Sequence, residues 1–168
     1  MSETLTPILP AQVEQAADAV LARACDLDLP LATAESCTGG LLAALLTDVE
    51  GRSHIFERGF VVYAEQAKCD LLGIEPQLVD DCGAVSRDVA IAMAKGALAH
   101  SRAKLAVSIT GFAGKTDEGE EGLVHFACQR EGRKVHHREE HFGAIGRDGV
   151  RIAALDVALE MMKEALDQ

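Results

Sequence analysis

One short segment, residues 33–40 with the sequence TAESCTGG, constrains the fold of this chain most strongly. It joins the apolar run LPLA to the leucine-rich run LLAALL. Short apolar runs are typical of buried strands, and the leucine spacing after the two glycines indicates a mostly buried helix. Ligands bind beyond the carboxyl ends of strands in open α/β sheets. The segment therefore predicts a functional site where a strand passes into a helix.

Helical and strand patterns alternate along the chain, and a hairpin pattern follows late in the sequence. Helical spacing covers 10–24, 39–49, 65–73, 76–83, 87–101 and 151–167, and strand patterns cover 29–36, 57–63, 103–114, 123–130 and 134–142. This order predicts an α/β fold, a three-layer α/β/α sandwich around a mixed, mostly parallel five-stranded sheet. No repeat or linker interrupts it, so we expect a single domain over residues 1–168.

The charge composition argues against several partners. The chain has 16 Lys and Arg residues against 27 Asp and Glu, a formal net charge of −11, whereas nucleic-acid binding needs clustered cations. No run of 18 apolar residues occurs, and the first residues lack the basic start and apolar middle of a signal peptide. We expect a cytoplasmic protein that binds neither nucleic acid nor membrane.

Cysteine and histidine spacing does not indicate a metal centre. The five cysteines are scattered without a C-x-x-C pair, which predicts neither a disulfide framework nor a zinc site. Strand alternation would place His137 and His141 on one face and His136 on the other. An exposed strand is a simpler interpretation of these histidines than a metal site, so we expect no metal.

The segment 33–40 supplies a candidate nucleophile and a candidate anion site. Backbone N–H groups from Thr38 to Leu41 would be unpaired at the helix start and would favour an anion there. An equally good interpretation is that Ser36 or Thr38 only caps the helix. Ser36 has no local base, because the G-x-S-x-G and S-x-x-K patterns are both absent.

A base for Ser36 could come from the next strand. Tyr63 ends that strand pattern, and Lys68 follows five residues later at the same predicted edge of the sheet. A lysine in a partly desolvated pocket loses its proton more easily and can accept one from a serine hydroxyl, while the tyrosine relays it or fixes the lysine. In the alternative interpretation the lysine is solvated and the tyrosine packs at the surface.

A third strand end carries small residues and backbone donors. Thr110, Gly111 and Gly114 close the apolar pattern SITGFAG. Arg147 lies just before the last helical pattern, where it could hold a phosphate. Glu35 is the remaining charged candidate. If the three strands run parallel, their ends converge on one pocket.

Four segments of the chain resemble the C-terminal domain of the competence-damage-inducible CinA proteins. They are TAESCTGG, FERGFVVYAEQAK, GAVS and SITGFAG, in this order and at these intervals, and the similarity runs from about residue 10 to the C-terminus. Stand-alone members of that family are nicotinamide-nucleotide amidases. The resemblance therefore implies a small-molecule nucleotide partner and hydrolysis of the carboxamide of nicotinamide mononucleotide, giving nicotinic acid mononucleotide and ammonia in pyridine nucleotide salvage, without metal or cofactor.

The resemblance also implies roles for individual residues. Ser36 would attack the amide carbon, Lys68 with Tyr63 would accept and return protons, and backbone donors of the first turn would hold the oxyanion. Water would then cleave the acyl-enzyme. The expected substrate-binding positions are Glu35, Thr38, Gly39, Gly40, Thr110, Gly111 and Arg147.

Two departures from the family pattern lie on the substrate side. Where the family continues G-x-A-G with proline and a longer glycine-rich loop, this chain has Lys115 and an acidic loop, and one more residue separates Phe142 from Arg147. They leave open a catalytically silent nucleotide-binding or regulatory module. A further alternative makes Cys37 the nucleophile, since only one of Ser36 and Cys37 can face the pocket from an extended segment. The apolar last helix and the hairpin are compatible with a homo-oligomer.

Overall fold

The computed structural model describes residues 9–168 and shows a five-stranded sheet between two layers of helices. The helices are α1 (Ala11–Asp26), α2 (Leu41–Leu46), α3 (Glu65–Leu72), α4 (Pro76–Cys82), α5 (Arg87–Ala99) and α6 (Arg147–Leu166), with a 3-10 turn at Ser53–Ile55. The strands are β1 (Leu31–Glu35), β2 (Phe56–Val61), β3 (Leu105–Gly111), β4 (Leu123–Arg130) and β5 (His136–His141). Every predicted helix and strand is present. The expectation of a single domain stays a prediction, and its residues 1–8 lie outside the described part.

The order of the strands is β2-β1-β3-β4-β5. β1 pairs in parallel with both β2 and β3, whereas β4 pairs antiparallel with β3 and with β5. β4 alone therefore runs opposite to the others, which confirms the mixed, mostly parallel sheet. The carboxyl ends of β1, β2 and β3 consequently lie at one edge.

Helices cover both faces of the sheet. One apolar cluster joins the sheet to α1, α2 and α6, and a second joins the opposite face to α3, α4 and α5. In the central strand β3, Val107 and Ile109 belong to the first cluster and Ala106 belongs to the second. Because both faces are covered, this strand is apolar without alternation, as a central strand should be.

Two helix ends follow from their capping residues. The hydroxyl of Ser86 accepts a hydrogen bond from the N–H of Val89 at 3.3 Å at the start of α5. Gly73, with φ of +66°, ends α3 in the left-handed conformation that glycine adopts without strain. Both residues are of types that commonly cap helices at these ends.

Two glycines delay the start of α2. The pattern predicts a helix over 39–49, but α2 begins only at Leu41 because Gly39 and Gly40 have φ of +60° and +96°, outside the right-handed helical region. At the other end, the hydroxyl of Thr47 donates to carbonyl groups of the last turn. The helix is therefore shorter than expected.

Two site candidates sit differently in their elements from the prediction. β2 ends at Val61, so Tyr63 lies in the connection to α3 and not in the strand. α6 begins at Arg147 and not at residue 151, because its first turn, Arg-Asp-Gly, contributes nothing to the apolar stripe from which the helix was expected. Arg147 is thus the first residue of the helix.

The apolar face of α6 packs inside the protein. Leu155, Leu159 and Met162 are buried in the cluster that α6 shares with α1 and the sheet. This stripe therefore offers no exposed surface for self-association, and the homo-oligomer stays a prediction. Within residues 9–168, none of the helices is both long and apolar enough to cross a bilayer. The cytoplasmic location also stays a prediction.

Candidate active site

A cavity of about 640 Å³ opens at the edge where β1, β2 and β3 end. Its walls come from the turn after β1, the start of α3, the loop before α5, the end of β3 with its following loop, and the start of α6. The predicted site residues in its lining are Ser36, Tyr63, Lys68, Thr110, Gly111 and Arg147. The structure thus brings together residues that are far apart in the sequence.

Ser36 and Lys68 are in direct contact. Lys68 Nζ donates to Ser36 Oγ at 3.0 Å and to the carbonyl of Val62 at 3.1 Å. The N–H of Ser36 donates to Ile109 O at 2.9 Å, which fixes the serine to the end of β3. Lys68 shares the buried face of α3 with Leu72, one turn later, and this helical spacing points the lysine inward.

Burial of Lys68 favours its neutral form. The side chain is 1% exposed, and desolvation lowers the pKa of its amine, while Glu65 opposes part of the shift. Its two hydrogen bonds go to a hydroxyl and a carbonyl, neither of which carries a charge. A neutral amine in contact with a serine hydroxyl can act as the base that the sequence around Ser36 lacks.

Tyr63 lies at the rim of the same cavity. Its side chain is 69% exposed, and its hydroxyl donates to neither Ser36 nor Lys68 in the structure. This position agrees with the surface alternative that the sequence left open. The role of Tyr63 in proton transfer stays a prediction.

Glu35 serves the framework of the site. Its buried carboxylate accepts hydrogen bonds from the Thr38 hydroxyl at 2.6 Å, from the N–H of Leu42 at 2.9 Å and from the N–H of Ala43 at 3.0 Å. The anion at the start of α2 is therefore the chain's own carboxylate, and neither Ser36 nor Thr38 caps this helix.

Four expected substrate-binding residues lie outside the cavity lining: Glu35, Thr38, Gly39 and Gly40. The N–H of Gly39 donates to Ser36 O at 3.0 Å, and the N–H of Leu41 donates to Thr38 O at 3.1 Å. These donors are engaged within the turn and are not available to an anion. The structure gives these residues a part in shaping the turn that carries Ser36.

Arg151 is a functional candidate that the sequence did not single out. Its Nη2 donates to the carbonyl of Thr38 at 3.0 Å, across 113 residues of sequence. Its Nε is buried without a hydrogen-bond partner among residues 9–168. The only signal in the sequence is its place one turn after Arg147 on α6.

Cys37 is unsuited to act as the nucleophile. Burial raises the pKa of its thiol to about 12, so very little thiolate is present near neutral pH. The side chain is 8% exposed and belongs to the apolar cluster around α1 and α6. The alternative in which Cys37 replaces Ser36 therefore loses its support.

The loop before α5 completes one wall of the cavity. Gly83, Ala84 and Val85 line it, and the hydroxyl of Thr110 donates to Ala84 O at 2.8 Å, which ties this loop to the end of β3. The GAVS segment, residues 83–86, carries part of the family resemblance, which implies no site role for it. This segment is the sequence feature from which this wall of the cavity could have been predicted.

Two cations face the cavity near its mouth. Arg147 lies against Gly114, where an added Cβ would approach its Nη2 to 2.9 Å. Lys115 is the next residue along and also lines the cavity, together with the acidic side chains of Glu65 and Glu118. In the described part of the chain, neither Arg147 nor Lys115 is paired with a carboxylate.

Several known proteins are similar to this chain in sequence. The model of the CinA C-terminal domain family matches residues 13–166. A protein of Escherichia coli K12 named nicotinamide-nucleotide amidohydrolase PncC is 42% identical over 153 residues, which cover 89% of each chain. A CinA-like protein of Chlorobium phaeobacteroides is 45% identical over 143 residues, which cover 81% of this chain and 34% of the relative. The chain therefore spans about a third of the length of some relatives.

A solved structure shows the same architecture. The crystal structure of the competence/damage inducible protein CihA from Agrobacterium tumefaciens superposes with a TM-score of 0.90 at 44% sequence identity. The match covers 95% of this chain and 98% of that one. The arrangement of helices and strands that builds the cavity is thus shared with this protein.

Proposed function

The chain belongs to the CinA C-terminal domain family, and from this we propose that it is an amidohydrolase that cleaves the carboxamide of nicotinamide mononucleotide. The observation that carries the proposal is the 3.0 Å contact between Ser36 Oγ and the buried amine of Lys68 at the cavity wall. The name of the E. coli relative supports the same substrate. The products would be nicotinic acid mononucleotide and ammonia.

Acylation begins with the neutral amine of Lys68. The amine takes the proton of Ser36 as Oγ bonds to the carboxamide carbon, and the carbonyl oxygen becomes an oxyanion. When the tetrahedral intermediate collapses, the C–N bond breaks and the Lys68 ammonium returns the proton to the departing nitrogen. Ammonia leaves, and the nicotinoyl group stays on Ser36 as an ester.

Deacylation repeats these steps with water. Lys68, neutral again, takes a proton from a water molecule as the water oxygen bonds to the ester carbon. Collapse breaks the bond to Ser36 Oγ, which recovers its proton from Lys68. One base thus serves both half-reactions, because the buried amine returns to its neutral form each time.

We assign Tyr63 to the same proton-transfer set, as its place on the rim allows. The exposed phenol would turn toward Lys68 when a substrate fills the cavity. Arg147 and Lys115 supply positive charge for the phosphate of the mononucleotide, and a guanidinium suits phosphate oxygens well. Thr110 and Gly111 would contact the substrate from the end of β3.

The alternative is a nucleotide-binding module that has lost hydrolysis. The observation that favours it is the cavity wall at 115–119, where Lys115 and Glu118 replace the family's usual proline and glycine-rich loop. A changed wall could hold the substrate with its carboxamide away from Ser36. Binding without ammonia release would then be the result.

The decisive experiment measures ammonia from nicotinamide mononucleotide. Ser36→Ala and Lys68→Met should abolish release, whereas Ser53→Ala, a control serine outside the cavity, should keep it. Nicotinamide riboside and free nicotinamide should be poorer substrates, because they lack the phosphate. Unchanged turnover in Ser36→Ala would refute the mechanism, and saturable calorimetric binding without ammonia would establish the silent module.

A further inference from the structure

We propose that Arg151 is a positioning residue that strengthens the oxyanion donor beside Ser36 through two peptide groups. The inference rests on the proposed function, since it concerns the oxyanion formed when Ser36 attacks. Arg151 itself touches neither substrate nor nucleophile in this account. It acts on the turn of residues 36–39 from the side of α6.

The contacts form a continuous chain of hydrogen bonds. Arg151 Nη2 donates to Thr38 O at 3.0 Å. The peptide group that carries this oxygen also carries the N–H of Gly39, which donates to Ser36 O at 3.0 Å. The peptide group of Ser36 O in turn ends in the N–H of Cys37, directly after the nucleophile.

The last donor in this chain, the N–H of Cys37, lies at the cavity. The N–H of Cys37 donates to no oxygen atom of residues 9–168, whereas the N–H groups of Gly39 and Leu41 are both engaged. Cys37 belongs to the cavity lining although its thiol packs into the core. Thr38 and Gly40 lie outside that lining, so the N–H of Cys37 is the donor of this turn placed to meet an oxyanion.

A positive charge at one end of such a chain strengthens the hydrogen-bond donor at the other end. Each hydrogen bond polarises the peptide group that accepts it, so that the next N–H carries more positive charge. The low dielectric of a buried site preserves this polarisation better than water does. A guanidinium donor is stronger than a neutral one. The N–H of Cys37 is consequently a better partner for the oxyanion than an isolated peptide would be.

Arg151 forms no ion pair with a carboxylate of residues 9–168, and its Nε is buried without an acceptor. A partly buried cation without a carboxylate costs stability. A catalytic use explains why the chain keeps it, because the positive charge gains a further partner when the oxyanion forms.

The test compares Arg151→Gln, Arg151→Lys and the control Lys163→Gln, which removes an exposed cation from the same helix. For each variant kcat and KM with nicotinamide mononucleotide are measured, together with the unfolding midpoint and the affinity for 3-pyridineboronic acid. When this probe binds, Ser36 Oγ bonds to boron and its proton passes to Lys68, so the boron becomes tetrahedral and the adduct carries a negative charge, with one boron-bound hydroxyl at the oxyanion position.

Arg151→Gln should lower kcat about tenfold with KM unchanged, less than the loss of a direct oxyanion donor. Affinity for the boronic acid should fall by the same factor, Arg151→Lys should recover part of both, and Lys163→Gln should change neither. Unchanged kcat and boronate affinity in Arg151→Gln and Arg151→Lys would overturn the proposal. It would also be overturned if Arg151→Gln lowered the unfolding midpoint and raised KM but left the boronate affinity unchanged.

The two proposals fail in different ways. If the unmodified protein releases no ammonia, the proposed substrate is wrong, yet weaker boronate binding in Arg151→Gln still supports the role of Arg151. If the unmodified protein is active and Arg151→Gln matches it in both readouts, the substrate stands and the role of Arg151 falls.

Discussion

Replacing Glu35 with glutamine should destabilise the protein, although a sequence motif alone would place this residue in a substrate site. The carboxylate accepts three hydrogen bonds, two at Oε1 from the Thr38 hydroxyl and the N–H of Leu42, and one at Oε2 from the N–H of Ala43. A glutamine oxygen in the position of Oε1 keeps the first two. Its NH2 group then faces the N–H of Ala43, so one acceptor is lost and two donors meet.

The magnitude follows from these contacts. A hydrogen bond to a charged group contributes about 1.5–3 kcal/mol, and a negative charge at a helix start adds about 0.3–1 kcal/mol. Because Glu35 is fully buried, water cannot replace the lost acceptor. Glu35→Gln should therefore lower the free energy of unfolding by about 2–4 kcal/mol, a large part of the about 5–15 kcal/mol of a typical domain.

The measurement is urea denaturation with Glu50→Gln as control. Glu50 is exposed in the turn after α2, and its replacement should stay within about 0.5 kcal/mol of the original protein. Kinetics on the folded fraction of Glu35→Gln should show a lower kcat with little change in KM, since the variant disturbs the turn that carries Ser36 and not the phosphate-binding cations Arg147 and Lys115. A free energy of unfolding equal to that of Glu50→Gln, or a selective rise in KM, would refute this account.

Lys68→Met should be inactive but more stable at neutral pH, because the pKa of Lys68 is lowered in the folded state and folding is therefore opposed while the lysine is protonated. The gain in free energy of unfolding, measured by urea denaturation, should shrink as pH rises toward 10.5. A gain that stays constant with pH would contradict this prediction. In the original protein kcat/KM should rise with pH through an apparent pKa below 10.5. Cys37→Ala should retain the kcat of the original protein. A loss of turnover in this variant would restore the thiol as a candidate nucleophile. Arg147→Gln should raise KM for the mononucleotide by about tenfold or more, and Lys115→Gln should raise it less. Neither variant should change turnover of the riboside, which has no phosphate. Equal effects on both substrates would exclude phosphate binding by these two residues.

Local patterns were sufficient to predict the elements and the meeting of the strand ends. The unbroken apolar run of β3 indicated a strand covered on both faces, and the parallel order of β1, β2 and β3 placed Ser36 and Lys68 at one edge. The resemblance then supplied the pairing of serine with lysine. The 3.0 Å contact between them agrees with that pairing.

The orientation of Glu35 was predictable but was missed. Successive residues of an extended segment face opposite sides, so Glu35 and Ser36 cannot both face the cavity, just as Ser36 and Cys37 cannot. Arg151 is a different case. Its contact with Thr38 crosses 113 residues, and no local pattern specifies which turn of α6 lies beneath the loop after β1.

The pairing of charges explains how an acidic protein can present a site for an anion. With a net charge of −11, the surface repels phosphate, so cations at the cavity are useful only if the surrounding carboxylates do not neutralise them. Five basic side chains elsewhere in residues 9–168 are paired with carboxylates: Arg23 with Asp167, Arg52 with Asp18, Arg58 with Glu57, Lys104 with Glu131 and Arg138 with Glu160. Arg147, Lys115 and Arg151 stay outside these pairs. The site therefore keeps positive charge that no carboxylate pairs, with Arg147 and Lys115 placed to meet the bound phosphate and Arg151 placed to act on the oxyanion donor through the turn after β1.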